Sequence, residues 1–209
     1  MTLLYPAKGF DVYAGTLSTV ERQAAKDEGF EFIIHYYGGS SGKDLTAAEL
    51  QLNSKLGLYT GAVFECSDQP DYFTATRGTL DGNIALAQAV RAGQPKGSCI
   101  YFAYDFGPLP QHLAGNIGPY HTQAAALVHA AGFRVGAYGA GLTMNYLFGK
   151  GLLDCDWIGG AMGWAGSRGY KRADGSQPCL LQGLPIDICN NTLNVDPDTA
   201  FRDAGLFIL

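Results

Sequence analysis

Four acidic side chains stand where acid–base chemistry would need them. They are Asp11 in Gly-Phe-Asp-Val-Tyr, Glu65 in Ala-Val-Phe-Glu-Cys, Asp105 in Tyr-Phe-Ala-Tyr-Asp-Phe and Asp196 in Asn-Val-Asp-Pro-Asp. Each interrupts or closes an apolar run, although an ionised carboxylate is costly to bury unpaired. Burial and like-charged neighbours raise its pKa, which is the property a general acid requires. A single such residue reads equally well as a cap or a strand-end contact; Asp11, Glu65 and Asp105 together point to a shared site. Aromatic residues accompany them at strand ends: Tyr13, Tyr36, Tyr37, Tyr104, Tyr138 and Trp164. Rings beside carboxylates suit a sugar, whose C–H face stacks while its hydroxyls bond to acids and amides. Each tyrosine alone also fits a core or rim position with its hydroxyl reaching water. Trp164, in Ala-Met-Gly-Trp-Ala-Gly-Ser, is the best stacking candidate.

Other chemistries lack their residues. Gly38-Gly-Ser-Ser-Gly-Lys43 glances at a phosphate loop, but that spacing would need glycine at 37, which is Tyr, and Ser or Thr at 44, which is Asp. There is no GxSxG elbow. The histidines (His35, His112, His121, His129) have no metal-ligand spacing, so neither a metal nor any other cofactor is expected. A Cys66–His35 nucleophile pair has only position to recommend it. The five cysteines form no CxxC pair, and isolated cysteines in apolar runs behave as small buried hydrophobes.

The elements that must position the acids follow a rhythm. Short, almost continuously apolar runs read as strands covered on both faces: Gly9–Tyr13, Phe30–Tyr36, Tyr59–Glu65, Cys99–Asp105, Arg134–Tyr138, Trp157–Met162 and Cys179–Gln182. A last one lies near Asn194–Asp196 or in the terminal Gly-Leu-Phe-Ile-Leu. Helical patterns separate them: Val20–Glu28 and Ala47–Lys55, each behind a capping box (Ser18/Glu21 and Thr46/Glu49), then Gly82–Ala92 capped by Asp81, then His121–Ala131. Several helices end at a glycine with the next strand following at once. Strand, helix, glycine, strand is the mark of repeated βα units. Over 209 residues it predicts one α/β domain, residues 1–209, built as a small (β/α)8 TIM-type barrel. The open-sheet rival lacks a GxGxxG after its first strand.

Composition narrows the partners. With 47% hydrophobic and 12% aromatic residues the chain can bury a large core, and disorder is excluded. A net charge of −5 without a lysine/arginine cluster disfavours nucleic acid. No run approaches the roughly 18 apolar residues of a membrane span, so membrane insertion is not expected. The N-terminus Met-Thr-Leu-Leu-Tyr-Pro-Ala-Lys lacks the pattern of a signal peptide. The expectation is cytoplasmic synthesis of a monomer, with a signal-independent route if the cell wall is the destination.

Taken in order, Gly9–Tyr13, Phe32–Tyr37, Leu58–Glu65, Gly93-Gln-Pro, Ile100–Asp105, Gly132–Gly139, Trp157–Trp164, Leu181-Gln182 and Val195-Asp196 resemble one family over nearly the whole chain. It is the bacterial glycoside-hydrolase-like domain of the Rv2525c-like type, a relative of the family 25 glycoside hydrolases, the Chalaropsis-type lysozymes. The resemblance implies a (β/α)8-like barrel with an acidic groove, associated with cell-wall glycans. In the lysozymes a first-strand Asp matches Asp11, a strand-four acid matches Asp105 and a late Asp matches Asp196. Those enzymes carry Asp-x-Glu on strand four, with the Glu as proton donor. Here the strand reads Ala103-Tyr104-Asp105, one carboxylate instead of two, and Glu65 is the glutamate positioned to take over the acid role.

The reading is therefore a muramidase-like hydrolase of peptidoglycan or a related N-acetylated polysaccharide. Asp11, Glu65, Asp105 and Asp196 are its catalytic candidates, and Tyr36, Tyr138, Trp164 and Gln182 contact the sugar. The alternative is a catalytically degenerate glycan-binding domain of the cell envelope, which the missing strand-four glutamate favours. Metal-dependent phosphodiester cleavage is a distant third.

Overall fold

The computed structural model describes residues 2–12, 17–38 and 44–209. Tyr13 and most of the glycine-rich Gly38–Lys43 segment lie outside them. Among the described residues there are nine strands: β1 (Ala7–Asp11), β2 (Phe32–Tyr37), β3 (Tyr59–Phe64), β4 (Cys99–Ala103), β5 (Arg134–Gly139), β6 (Cys155–Ile158), β7 (Leu180–Gln182), β8 (Ile186–Ile188) and β9 (Leu193–Ala200). The first seven run parallel in chain order, and β9 closes the circle between β7 and β1. The result is the closed eight-stranded barrel of the TIM type, with β8 outside it as a flap on β9.

The period of two in each strand sorts its residues between two cores. Phe32, Ile34, Val63, Tyr101, Ala103, Cys155 and Trp157 fill the barrel interior, while Phe10, Ile33, Phe64, Ile100, Phe102 and Val135 meet the helices outside. Two interior glycines make the filling possible. A Cβ on Gly9 would strike the Phe32 ring, and one on Gly136 the Tyr101 ring. Aromatic rings thus occupy the middle of the barrel across the gaps that these glycines leave.

The helices are α1 (Thr19–Asp27), α2 (Ala47–Lys55), α3 (Ala75–Ala92), the single turn α4 (Pro110–His112), α5 (Gly118–Ala130) and α6 (Gly141–Gly149), with a π-helical turn over Leu113–Ile117 joining α4 to α5. Both capping boxes form as spaced, Ser18 with Glu21 and Thr46 with Glu49. Three expectations change. Asp81 does not cap a helix; Thr74 does, α3 starts at Ala75, and Asp81 is buried mid-helix, accepting from the hydroxyls of Tyr72 (2.9 Å) and Tyr120 (2.8 Å). Helix α6 carries glycine at both ends, which masked it in the sequence. The last strand is antiparallel to both neighbours, because β8 turns straight back into it with no crossover between. After β6 comes a glycine-rich segment of turns, residues 159–179. After β7, β8 folds straight back into β9 over Cys189, Asn190 and Asn191, three successive residues with φ of 54°, 58° and 63°.

The polar groups outside the barrel are structural. His35 faces away from the interior, 3.0 Å from Asn53, and burial holds it neutral by lowering its pKa to about 3. Cys66 donates its thiol to the Gly38 carbonyl at 2.8 Å, so the Cys66–His35 pair does not form. Residues after β9 fold across the base, where Tyr101 donates to the Ala204 carbonyl (2.8 Å) and Thr60 bridges Phe207.

Candidate active site

All seven parallel strands point their C-terminal ends at one mouth, where barrel enzymes keep their chemistry. A pocket of about 360 Å³ opens there. Glu65, just past the end of β3, and Asp105, just past the end of β4, line it together with Asp196 from β9. Its walls and floor are Tyr36, Val63, Ala103, Tyr138, Trp157 and Gln182. No lysine or arginine is among these lining residues.

Asp11 sits below, only 1% exposed, at the last position of β1. Its carboxylate accepts from the Tyr36 hydroxyl (2.7 Å) and from Gln182 Nε2 (2.7 Å). The amide oxygen of Gln182 in turn accepts from the Tyr138 hydroxyl (2.9 Å) and from the Gly160 backbone N–H (2.9 Å). The Tyr138 hydroxyl also lies 3.4 Å from Asp105 Oδ1. A continuous polar path therefore joins the first strand to the fourth across the pocket floor.

Antiparallel β9 supplies a further acid. Asp196 lies opposite Asp11 and Asp198 opposite Gly9, so both aspartates face the interior. Asp198 is 1% exposed and takes the Trp157 indole N–H at 2.8 Å, on the same interior face as Asp11. Two carboxyls this close and this dry cannot both ionise. Burial pushes Asp11 up to about 7 against the hydrogen bonds from Tyr36 and Gln182. Burial, then the charge of Asp11, pushes Asp198 well above the carboxylate range. Burial also raises Asp105, opposed by the Tyr138 hydrogen bond, and raises Asp196 with help from Asp105. Asp105 and Asp196 are each only partly exposed, at the pocket wall.

Of the eight residues expected at a site, Glu65, Asp105, Asp196, Tyr36, Tyr138 and Gln182 line this one pocket, and Asp11 lies directly beneath it. Trp164 stands at the rim, against Gly107 and Gly159, positions on the loops after β4 and β6. Tyr37 and Tyr104 do not belong to it: they face the helical layer, bonded to Gln94 (2.9 Å) and His121 (2.8 Å). Asp198 and Trp157 were missed. The spacing Asp196-Pro-Asp198 carried the signal for the first, since residues two apart on a strand share a face. Among the described residues, no three His, Cys, Asp or Glu side chains are arranged to hold a metal ion.

The description "Rv2525c-like, glycoside hydrolase-like domain" matches residues 23–176. The chain belongs to this family. Rv2525c itself, a Tat-secreted protein of Mycobacterium tuberculosis solved in complex with HEPES, superposes with a TM-score of 0.81 at 18% identity, covering 96% of this chain and 98% of that one. YbfG of Bacillus subtilis (strain 168) is 28% identical over 208 residues; the match takes in 91% of this chain but spans only 28% of that protein's length. A family 25 glycosyl hydrolase from Bacillus anthracis shares the fold at a TM-score of 0.60 and 13% identity, covering 95% and 90% of the two chains. So does the modular autolysin LytC of Streptococcus pneumoniae, solved with a synthetic peptidoglycan ligand (TM-score 0.65, 12% identity, 93% of this chain and 46% of that one). The domain is a glycoside-hydrolase-like barrel that shares its fold with a family 25 glycosyl hydrolase.

Proposed function

We propose that the mouth pocket binds a strand of peptidoglycan or a related N-acetylated polysaccharide and hydrolyses a glycosidic bond in it. The observation that carries this reading is a single pocket in which Glu65, Asp105 and Asp196 converge above the buried Asp11, with no cation lining it. A site built to bind an anion would show the opposite charge. Pyranose rings present what these walls match: hydroxyls for the carboxylates and Gln182, and C–H faces for Trp164 and the tyrosines.

In this mechanism Glu65 gives its proton to the leaving oxygen. Asp105, beside the Tyr138 hydroxyl, faces the anomeric carbon and stabilises the positive charge of the oxocarbenium-like transition state, or orients the acetamido group or water that captures it. Asp11 does not reach substrate. It holds Tyr36 and Gln182 in place, and Gln182 in turn orients Tyr138. Asp196 binds sugar on the opposite rim. Export to the wall is part of the proposal, supported by the Tat-secreted relative and by the peptidoglycan complex of LytC.

One observation favours a second reading. Strand β4 brings one carboxylate, Asp105, to this wall, and the lining residue two before it, Ala103, offers only a methyl group. A domain that holds the glycan without cutting it would retain the rest. Incubation with purified peptidoglycan, followed by mass spectrometry of the soluble fraction, separates the two. Muropeptides released by the wild type and absent with Glu65→Gln establish the hydrolase. Sedimentation with the insoluble glycan, with no release by either protein, establishes the holding domain. Neither release nor co-sedimentation removes both readings.

A further inference from the structure

The mouth pocket carries acceptors in excess of donors. Among its described lining residues the side-chain donors are Tyr36, Tyr138, Trp157 and Gln182, and none is Lys or Arg. Three of these four are taken up by the protein itself. Tyr36 gives its hydroxyl hydrogen to Asp11 (2.7 Å), Trp157 its indole N–H to Asp198 (2.8 Å) and Tyr138 its hydroxyl hydrogen to Gln182 Oε1 (2.9 Å). Gln182 Nε2 also turns one of its two hydrogens to Asp11 (2.7 Å). These side chains therefore keep one amide hydrogen for a ligand, while the same lining holds the carboxyl groups of Glu65, Asp105 and Asp196.

Strand order sets two of these acids against each other. In the closed order β1-β2-β3-β4-β5-β6-β7-β9, β4 and β9 are equally far apart in either direction, so Asp105 and Asp196 stand on opposite walls. Burial, then the charge of Asp105, raises the Asp196 carboxyl. A cation between the two reverses that effect and keeps both ionised. An ammonium group suits the place: it donates three hydrogens and accepts none, and tyrosine rings such as Tyr36 and Tyr138 in the wall favour positive charge. An acetamido group suits it poorly, because its carbonyl oxygen needs donors that are already engaged beneath the floor.

We propose that the sugar selected by this pocket is a hexosamine with a free amine, its ammonium group seated between Asp105 and Asp196, in a strand whose other residues keep their acetyl groups. The inference rests on the glycan reading above and narrows its substrate to partly de-N-acetylated polysaccharide. The amine sets the preference, and the sugar hydroxyls, which both donate and accept, fix the orientation against the remaining polar groups. A fully acetylated strand brings no positive group to the acidic walls and leaves their carboxylates to water.

The test is co-sedimentation in the cold with one batch of purified peptidoglycan, half of it treated with a glycan N-deacetylase, at pH 6 and at pH 9.5. At pH 6 the wild type is expected to bind the treated half with an affinity roughly 10-fold or more above that for the untreated half. At pH 9.5, above the range of such an amine, the two halves are expected to bind alike. Asp196→Asn is expected to remove most of the preference at pH 6. Asp27→Asn, the same loss of charge on the exposed side of α1, is expected to keep it. Equal binding of both halves at pH 6, or stronger binding of the untreated half, overturns the inference and leaves the glycan reading standing. A preference that falls equally in the two variants belongs to the net charge of the chain and overturns the inference as well. Retention of neither half removes the glycan reading with it. The wild-type ratio decides the matter even where Asp196→Asn fails to fold.

Discussion

The two ends of this barrel treat buried charge in opposite ways. At the base, Asp156 is fully buried and bonded to Arg172 through Nε and Nη2, while Asp203 receives Arg134. At the mouth, Asp11 and Asp198 are just as buried, yet their partners are a hydroxyl, an amide and an indole. Neutralisation by guanidinium makes a rigid floor and leaves nothing for a ligand. Acids held by neutral donors stay basic enough to take up a proton, and through Tyr36 and Gln182 Asp11 holds the pocket floor in place. Carboxylates at the two ends of one barrel thus answer to different partners, guanidiniums at the base and neutral donors at the mouth.

The sharpest way to break this comparison is to remove a guanidinium from the base. Arg172→Ala leaves Asp156 buried and uncompensated, and unfolding in urea is expected to show a loss of about 3–5 kcal/mol. A loss below 1 kcal/mol would mean that the base tolerates bare charge as the mouth does. Glu65→Gln is the counterpart at the mouth: release of muropeptides is expected to fall by roughly 100-fold or more, while Tm moves by only a few degrees.

The buried pair at the mouth adds a pH signature. Because Asp11 titrates higher in the folded chain than in the unfolded one, folding takes up protons, and stability drops as pH rises from the unfolded value toward 7. Asp11→Asn removes that slope. Relative to the wild type, the variant is expected to gain about 2 kcal/mol between pH 5 and pH 8, read from urea midpoints at the two pH values. A constant difference would show that Asp11 is ionised throughout. The smallest effect belongs to Tyr36→Phe, which takes one donor from Asp11. It is expected to cost about 1 kcal/mol and to move the Asp11 carboxyl resonance, followed by NMR titration, to a higher midpoint.

What the sequence revealed of this arrangement depended on locality. Capping boxes at Ser18 and Thr46 and apolar runs ending in Asp11, Glu65 and Asp105 are local patterns, and they placed the barrel and most of its mouth. Asp198 was overlooked because its meaning lies in a pairing with β1, nearly the whole chain away. Tyr37 and Tyr104 were assigned to the wrong side because a continuously apolar strand gives no alternation from which to read its faces. The reversal of β9 was hidden in a turn of Cys189-Asn190-Asn191, which adopts left-handed backbone without a glycine to announce it. The polarity of the base escaped notice for the same reason as Asp198: Arg134 and Arg172 acquire their partners only in three dimensions.

That reversal also sets the traffic around the molecule. Since β1 leaves the base and β9 returns to it, with the last residues laid across the underside as far as Leu209 beside Ser54, both chain ends depart from the face remote from the pocket. Anything joined to either end, whether an affinity tag, a surface tether or a neighbouring domain, hangs beneath the barrel and leaves the approach to the mouth clear. On the proposed function, a glycan strand can then lie across the mouth with both chain ends on the far side.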